Sequence, residues 1–374
     1  MDEISVWRVR SKRDLTRFIK FQWKVYKGNE FWVPPLIAER KKILDRSKNP
    51  FYRHAEMELF LAERDGKLAG RIAAIVNHLH NSFHNENVGF FGFFESANDQ
   101  AVATALLDAA REWFRSKGVL AMRGPANPSS NDDWGLLIDG YQESPAIMMP
   151  YNPPYYSQLF EAYGLKKVVD LFAYVLHKDQ MEMGRAVRLA ELVRQRTTAR
   201  VRILDMRNFT RDVDLVKQVY NNAWSSNWGF VPMTDEEIEY LAADLKQIVD
   251  PDLALFAEVN GRVVGFALAL PDFNQVLKRI PSGRLFPFGL LKILLHRSKI
   301  DSVRLLITGV IKEYQRRGID AVLYTEILER AAVKRIYRGE ASWILEWNKM
   351  MNGGLEAMNA KRTKTYRIYE MGIT

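Results

Sequence analysis

A turn between a predicted strand and a predicted helix in the second half of the chain has the residues of an anion-binding site. The strand covers residues 303–310, the helix begins near Ala321, and the turn carries two arginines and a glycine. Such a turn directs several backbone N–H groups and the positive end of the helix dipole at one point. Gly318 permits close approach of the backbone, while Arg316 and Arg317 add positive charge. The pattern predicts a pyrophosphate site, although an Arg-Arg-Gly turn before a helix is also a common solvated turn.

The turn lies in one of two similar halves of the chain. Residues 62–70 (AERDGKLAG) match residues 257–265 (AEVNGRVVG) at an offset of 195. Each stretch predicts two strands joined by a tight turn, because Asp-Gly and Asn-Gly are favoured hairpin dipeptides. Asn152 and Asn348 form a second pair at an offset of 196, and a weaker match lies near the start of each half. Three matches in the same order indicate a tandem duplication.

The same order of elements is predicted in each half. It runs strand, one or more helices, a strand hairpin, another strand, a long helix, a strand, a short helix and a final strand, which makes a mixed sheet with helices on both faces. Domains are predicted at 1–178 and 201–374, joined by a connecting helix at 179–200. The first half has a glycine- and proline-rich loop at 123–154, and the second has an insert at 271–299.

Composition excludes several classes of protein. The chain has 374 residues, of which 47% are hydrophobic, which is enough for two cores. Neither a membrane span nor a signal peptide is predicted, so the expected location is the cytoplasm. The absence of cysteine excludes disulfides, a thiol nucleophile and thiolate-bound metal. The net charge of +9 favours an acidic or phosphate-rich partner, but no signature of a nucleic-acid-binding fold is present.

The turn resembles the cofactor loop of the GNAT acyltransferase superfamily, whose pattern is Gln/Arg-x-x-Gly-x-Gly/Ala. Gln315, Gly318 and Asp320 occupy its three defined positions. Asp320 departs from the pattern, and its carboxylate must point away from bound phosphates. The sequence as a whole resembles a family of tandem GNAT proteins. The resemblance implies an α/β protein with two GNAT-like domains, each a mixed, mostly antiparallel twisted sheet with helices on both faces. It also implies direct transfer of an acetyl or longer acyl group from coenzyme A to an amine.

The resemblance also assigns the cofactor-binding residues. In the superfamily, the strand before the cofactor loop splays away from the next strand, and the pantetheine arm lies in the opening. The strand would offer backbone groups to the pantetheine and the thioester carbonyl, the turn would hold the pyrophosphate, and an asparagine after the next strand, 342–347, would lie beside the cofactor. The residues implied are Thr308, Val310, Gln315, Arg316, Arg317, Gly318, Ile319, Asp320, Ala321 and Asn348.

Direct transfer needs a base for the amine proton and an acid for the departing thiolate. Glu346 is the predicted base, because it lies two residues before Asn348 and so on the same face of the predicted strand. A strand-end glutamate paired with an arginine is an equally good interpretation. The superfamily's acid tyrosine would fall at Glu356, so Tyr366 is the substitute predicted, although an aromatic on a terminal strand is more often part of the core.

The first half has the same predicted scaffold without the phosphate turn. Residues 96–100 (SANDQ) have no arginine and no glycine, so this half is not expected to bind a pyrophosphate. It resembles the degenerate half of tandem relatives such as peptidoglycan-building aminoacyltransferases, and is expected to shape the acceptor site or to stiffen the pair. Long loops such as 123–154 are often functional. The predicted acceptor-binding residues are Asn127, Tyr155 and, in the second half, Trp228.

Two further segments have alternative interpretations. Residues 284–297 are apolar with basic flanks and too short to span a bilayer. A core helix covering the sheet is favoured over an acyl-chain pocket or a peripheral membrane contact. His78, His80 and His84 invite a metal interpretation, but no carboxylate completes a known spacing, so no metal is predicted.

Two alternatives to a coenzyme A-dependent enzyme remain open. A non-catalytic acyl-coenzyme A sensor is suggested by Asp320 and by the missing helix tyrosine. An acyltransferase that takes its acyl group from an acyl-carrier protein is suggested by the basic charge and the apolar insert. The sequence does not decide whether the acceptor amine belongs to a small molecule or to a peptide.

Overall fold

The chain is divided into two compact units. A computed structural model describes residues 3–182, 184–196 and 199–373. Unit 1 comprises Met1–Leu171, Leu277–Ile293 and Lys364–Thr374, and unit 2 comprises Phe172–Val276 and Leu294–Thr363. The units are discontinuous, whereas the sequence predicts contiguous domains; the predicted boundaries of the repeat remain a prediction. Part of the predicted connecting segment, at 183 and 197–198, lies outside the described residues.

The first half of the chain contains nine strands and six α-helices within the described residues. In chain order they are β1 (Ile4–Arg8), α1 (Lys12–Lys20), α2 (Gln22–Val25), α3 (Ile37–Ile43), β2 (Ala55–Arg64), β3 (Lys67–Asn77), α4 (His78–His84), β4 (Val88–Ser96), α5 (Gln100–Ser116), β5 (Ala121–Gly124), β6 (Ala126–Asn127), β7 (Asp133–Trp134), β8 (Leu136–Asp139), α6 (Tyr156–Tyr163) and β9 (Lys166–His177).

The second half continues with the remaining elements. They are α7 (Gly184–Arg196), β10 (Arg200–Ile203), α8 (Phe209–Trp224), α9 (Asp235–Leu245), β11 (Ala254–Val259), β12 (Arg262–Pro271), α10 (Asn274–Leu277), α11 (Gly289–His296), β13 (Ser302–Val310), α12 (Ile319–Val333), β14 (Arg338–Leu345), α13 (Lys349–Ala357) and β15 (Lys361–Gly372).

The sheet of unit 1 runs in the order β1-β2-β3-β4-β5 and ends with the last residues of β15. Its pairs are antiparallel except β4 with β5, and Tyr369 of β15 lies opposite Gly124. Helix α5 packs on this sheet through residues spaced by three or four, including Val102, Leu106 and Phe114, which are fully buried. The core of unit 1 therefore lies between α5 and the β2–β3 hairpin.

The sheet of unit 2 runs from the end of β9 through β14, β13, β12 and β11 to β10. β10 to β13 pair in antiparallel fashion, and β13 pairs with β14 in parallel. A Cβ at Gly265 would touch Leu323 of α12, whereas one at Gly309, opposite the next residue Phe266, would touch Ala223 of α8. Since neighbouring strand residues point to opposite faces, α8 and α12 cover the two faces. The predicted fold class is confirmed.

The duplication extends to the details of the hairpins. The β2–β3 turn is Asp65-Gly66 and the β11–β12 turn is Asn260-Gly261, all four with positive φ, between 51° and 77°. Both hairpins also shift register at the same place, after Ala62 in one and after Ala257 in the other. These two alanines differ by the repeat offset of 195 residues. The two hairpins therefore share both their turn and their irregularity.

Two sequence predictions about elements are wrong. Strand β14 ends at Leu345, not at Trp347, because the chain turns there into α13. The core-helix interpretation of the insert also fails, because four leucines of α11 are 42–58% exposed. Across the described residues, no helix combines the length and apolar character that crossing a membrane requires.

Candidate functional site

Strands β13 and β14 of unit 2 separate part-way along their length. Their parallel register pairs Ser302–Leu305 with residues 338–341, and the described residues beyond show no further pairing between them. On its other side, β13 places Ile307 opposite Leu268 and Leu305 opposite Ala269, which leaves Leu306 as an extra residue. A bulge of this kind bends the bulged strand. The two strand ends therefore bound an opening, as the resemblance implies.

The chain leaves β13 through a turn held by specific bonds. Ile311 N donates to Val264 O (2.9 Å), and Lys312 N donates to Asn222 Oδ1 (2.9 Å). Gln315 Nε2 donates back to Val310 O (3.0 Å), so the glutamine of the cofactor-loop pattern closes the turn. These bonds fix the direction in which the chain enters α12.

The amino terminus of α12 is not capped by a side chain. Its N-cap is Gly318, at φ 78°, and Arg316 also has positive φ, at 60°. The first-turn N–H groups of a helix have no partner within the helix, so they are available to solvent or to a ligand. Arg316 and Arg317 are exposed beside them, with the Arg317 guanidinium 4.9 Å from the centre of the Tyr314 ring. Asp320 is exposed on the same first turn, and Ile319 is buried against Gly265.

A tyrosine that sequence reasoning missed lies inside the opening. Tyr324, on α12, is half-buried, and its hydroxyl lies beside Thr308 of β13 and 3.5 Å from Met351 Sδ of α13. Burial raises the pKa of Tyr324, the Asp320 carboxylate raises it further, and Thr308 opposes the shift. The hydroxyl therefore keeps its proton at neutral pH. Its position in the second turn of α12, facing β13, could have been read from the helical period, but its approach to α13 could not.

Glu346 and Asn348 lie in the turn between β14 and α13. Because β14 ends at Leu345, the alternation of a strand does not relate them. The turn is held by Asn352, which donates to Leu345 O (3.1 Å) and Glu346 O (3.3 Å). The Asn348 side chain caps α13 by accepting a bond from Met351 N (3.1 Å). Glu346 is half-buried and Asn348 is exposed. Met351 thus links Asn348 with Tyr324.

Aromatic residues line the same end of β14. Trp228 lies edge-on to Trp347, with ring centroids 6.3 Å apart, so this predicted acceptor residue contacts the residue that follows Glu346 in the chain. Trp347 is 50% exposed and Met350 is 72% exposed. Trp224 Nε1 donates to Thr308 O (3.2 Å), which joins α8 to the strand beside the opening. The rim of the opening therefore presents large apolar side chains.

A buried arginine that sequence reasoning also missed lies where β13 and β14 diverge. Arg304 is 1% exposed, and its guanidinium bonds Ser342 Oγ (3.1 Å) and Ser342 O (3.3 Å). Ser342 in turn donates to buried Glu340 (3.0 Å). The signal in the sequence was an arginine within an otherwise apolar strand. These hydrogen bonds join β13 to β14 where the two strands are paired. They also satisfy the Arg304 guanidinium, because a buried charge is stable only when it has hydrogen-bond partners.

The corresponding place in unit 1 is filled by the chain itself. β4 and β5 pair only at residues 88–90 and 121–123, and a Cβ at Gly92 would lie 1.6 Å from Ala126 O. Asn127, a predicted acceptor residue, accepts a bond from Phe93 N. Helix α5 is capped by Asp99, which accepts from Ala101 N and Val102 N. The amides that are uncapped on α12 are thus used internally on α5.

The other predicted residues of unit 1 have internal partners or are buried. Tyr155 donates to Ser96 O (2.8 Å). Tyr366 is fully buried in β15, opposite Leu137 of β8. The roles predicted for Asn127, Tyr155 and Tyr366 remain predictions.

Sequence reasoning missed a buried carboxylate at the end of β4. Glu95 accepts bonds from Gln22 (2.9 Å), Tyr26 (3.0 Å) and Tyr156 (2.7 Å), with Arg71 at 3.4 Å. Burial raises the pKa of Glu95, and Arg71 opposes the shift. The Glu95 carboxylate at the end of β4 is therefore satisfied by side chains of unit 1.

Two histidines of the first half, His78 and His80, pair with separate glutamates. His78 lies 3.2 Å from Glu56, and His80 lies 3.1 Å from Glu86. Burial lowers the pKa of His80 to about 4, so this ring is neutral at pH 7. Within the part of the chain that the structure describes, no three histidine or carboxylate side chains are grouped to hold a metal ion.

Comparison with solved structures gives the class of the fold. The tandem GNAT protein from the clavulanic acid biosynthesis pathway superposes with a TM-score of 0.58 at 10% identity, over 100% of this chain and 99% of the other. The chain therefore has the GNAT fold, as two tandem hairpin-strand-helix units, one of which has an uncapped turn at Gly318.

Two curated relatives are more similar in sequence, while no family model matches the chain. One is the bacterial ceramide synthase of Caulobacter vibrioides, 34% identical over 385 residues, covering 99% of this chain and 98% of the relative. The other is Protein YghO of Escherichia coli K12, 34% identical over 370 residues, covering 97% and 94%. The chain belongs to the family of these two proteins.

Proposed function

We propose that this protein is an N-acyltransferase that takes an acetyl or longer acyl group from acyl-coenzyme A, with the donor site in unit 2. The observation that supports the proposal most directly is the uncapped amino terminus of α12 beside the opening between β13 and β14, with Arg316 and Arg317 exposed at the turn. Amides and cations at a helix amino terminus suit a pyrophosphate. The GNAT fold and the name of the Caulobacter relative agree with acyl transfer.

The cofactor is assigned residue by residue along this opening. Backbone groups of β13 near Thr308 and Val310 bind the pantetheine arm, and the turn binds the pyrophosphate through its amides and arginines. Gln315 acts indirectly, because its side chain holds the turn closed on Val310. Asn348 lies at the far side, at the end of β14. The full set is Thr308, Val310, Gln315, Arg316, Arg317, Gly318, Ile319, Asp320, Ala321 and Asn348.

The transfer itself is direct. The acceptor amine attacks the thioester carbonyl carbon and loses a proton to Glu346, while the carbon–sulfur bond breaks and the thiolate takes a proton. We assign that second proton to the Tyr324 hydroxyl, because it lies between β13 and α13 and is held protonated. Tyr366, predicted for this role, is fully buried in unit 1.

The acceptor is proposed from the Caulobacter relative and from the rim of the opening. A ceramide is the N-acyl derivative of a long-chain amino alcohol, so the acceptor class is a small-molecule amine with a long hydrocarbon chain. The exposed Trp347 and Met350, with Trp228 beside them, suit such a chain at the end of β14. Unit 1 is a degenerate copy in this proposal, because Asp99 uses the amides that would bind phosphate.

Donor binding is tested by calorimetric titration with acetyl-, octanoyl- and palmitoyl-coenzyme A. The variant Gly318→Glu places bulk and negative charge on the phosphate path and is expected to weaken binding by at least about tenfold, since helix-terminus effects reach about 2 kcal/mol before the clash is counted. Gly28→Glu is a matched control, because Gly28 has φ 81° and open space around its Cβ position. It should bind as the wild type does.

Three outcomes would change the proposal. Unchanged affinity in Gly318→Glu would refute the site. If product forms only when an acyl-carrier protein supplies the acyl group, the donor is the carrier protein and not coenzyme A. Tight binding of acyl-coenzyme A by the wild type without turnover on long-chain amines would favour a sensor.

A further inference from the structure

The insert between β12 and β13 has an unusual charge pattern. Residues 273–300 contain six lysines and arginines and no aspartate or glutamate. The chain as a whole carries 54 basic and 45 acidic residues, so this stretch departs from a nearly balanced background. Such a segment attracts an anionic partner.

The same insert exposes large apolar side chains. Phe286 is 73% exposed and Phe288 is 68% exposed, and four leucines of α11 are 42–58% exposed. At about 100° per residue, the leucines fall within an arc of roughly 140° on one side of the helix. We call this set the apolar patch; its members are Phe286, Phe288, Leu290, Leu291, Leu294 and Leu295.

The exposure is built into the structure, because the central part of the insert, Leu277–Ile293, belongs to unit 1 and is anchored to the rest of that unit. Trp23 Nε1 donates to Pro281 O (2.7 Å), and Ile37 N donates to Gly283 O (2.9 Å). Gly289, the first residue of α11, is buried, and a Cβ there would lie 2.2 Å from Arg284 O. Lys292 Nζ donates to Arg279 O (2.8 Å), so the helix is also tied to the start of the insert.

The cations of the insert are available to a partner. Arg279, Arg284, Arg297 and Lys299 are exposed, and none of the four makes an ion pair with a described residue. Contiguous apolar surface on a soluble domain marks a site of interaction. Aromatic and leucine side chains flanked by cations have the composition of interfacial membrane-binding segments.

We propose that the apolar patch docks on the surface of a bilayer that contains anionic lipids. The phenylalanines and leucines enter the boundary between head groups and acyl chains, while the four free cations meet lipid phosphates. An acidic carrier protein would satisfy the charges but would leave six large apolar side chains without a hydrocarbon phase. The inference concerns where the protein binds and does not rest on the proposed reaction.

Vesicle flotation with the full-length protein tests the proposal. The vesicles are phosphatidylcholine alone or phosphatidylcholine with about one-third phosphatidylglycerol, at low and high salt. The wild type should float with the anionic vesicles, and less of it should float at high salt. Each cation is expected to raise the partition coefficient by about fivefold at low salt. The triple variant Phe286→Ser, Phe288→Ser, Leu291→Ser should lower the partition coefficient by at least about tenfold.

A matched control replaces exposed apolar residues elsewhere. Leu120 is 66% exposed and Val333 is 86% exposed, so Leu120→Ser with Val333→Ser removes exposed apolar surface outside the apolar patch and should leave flotation unchanged. The triple variant should also bind acyl-coenzyme A as the wild type does, which separates this inference from the donor site. Absence of wild-type flotation, equal flotation of the triple variant, or binding only to an acidic acyl-carrier protein would overturn the proposal.

Discussion

At the scale of single residues, one capping difference separates the two units. Asp99 accepts bonds from the first-turn amides of α5, whereas Gly318 offers no side chain to those of α12. A cap of this kind is worth about 1 kcal/mol to a helix, so leaving α12 uncapped costs stability and frees N–H groups for an anion. The same comparison explains why Asp320 is tolerated, since an exposed carboxylate on the first turn is favourable to the helix dipole.

The roles of Glu346 and Tyr324 give a prediction at this scale. Glu346→Gln and Tyr324→Phe should each lower kcat by about a hundredfold, while acyl-coenzyme A affinity changes little, because proton transfer is lost and donor contacts are kept. Steady-state kinetics with a long-chain amine, beside calorimetric binding, measures both quantities.

Tyr366→Phe serves as the comparison for Tyr324→Phe. We expect it to keep its turnover once its thermal stability has been checked, because the side chain is fully buried in unit 1. Loss of turnover in a folded Tyr366→Phe, together with full activity of Tyr324→Phe, would return the acid role to Tyr366.

At the scale of elements, the two units differ in the space between two parallel strands. A bulge in β13 opens this space in unit 2, and a glycine in β4 allows it to be filled in unit 1. Leu306 is the extra residue that bends β13 away from β14, and among the described residues the two strands pair only as far as Leu305 and Ala341. In unit 1 the equivalent opening receives the segment 125–127, because Gly92 has no Cβ to exclude Ala126 O. The two units thus use one scaffold in an open and a filled form.

The close packing of the segment 125–127 against Gly92 in unit 1 leads to a prediction about stability. Gly92→Ala would place a methyl group 1.6 Å from Ala126 O, which the packed segment can relieve only by moving. Overpacking of this kind costs about 1–3 kcal/mol, so the midpoint of thermal unfolding should fall by several degrees. Gly372→Ala has nothing within 4 Å of the new Cβ and should unfold at the wild-type temperature. Equal midpoints for the two variants would show that the segment does not fill the opening.

At the scale of the whole molecule, the compact units are not the halves of the sequence. Lys364–Thr374 belongs to unit 1, where Tyr369 lies opposite Gly124 and Tyr366 lies opposite Leu137. Both tyrosines are fully buried, so the segment supplies core side chains as well as backbone pairing. A fragment that lacks it would leave β5 paired with β4 alone and its other edge without the partner strand β15.

This arrangement predicts how fragments behave. Residues 1–178 alone should unfold without a cooperative transition and bind a hydrophobic dye, because an edge and a core are left incomplete. The same fragment joined by a flexible linker to residues 361–374 should regain a cooperative transition by circular dichroism. A cooperative transition in the fragment without the added strand would contradict this prediction.

Sequence alone determined the features set by neighbouring residues. The two hairpins follow from Asp65-Gly66 and Asn260-Gly261, whose residues adopt positive φ at little cost, and the turn at Gly318 follows in the same way. The fold class followed because the hairpins recur at a fixed offset. The insert was misjudged because apolar periodicity is the same for a helix that covers a core and for one that faces outward.

Tertiary structure decided what depends on contacts between distant elements. Tyr324 meets Thr308 and Met351 only because α12, β13 and α13 converge at one opening. The filling of the unit 1 opening and the placement of Lys364–Thr374 in unit 1 likewise join residues far apart in the chain. Local propensity acts over a few residues, whereas these choices are made by packing, which no pattern of neighbouring residues encodes.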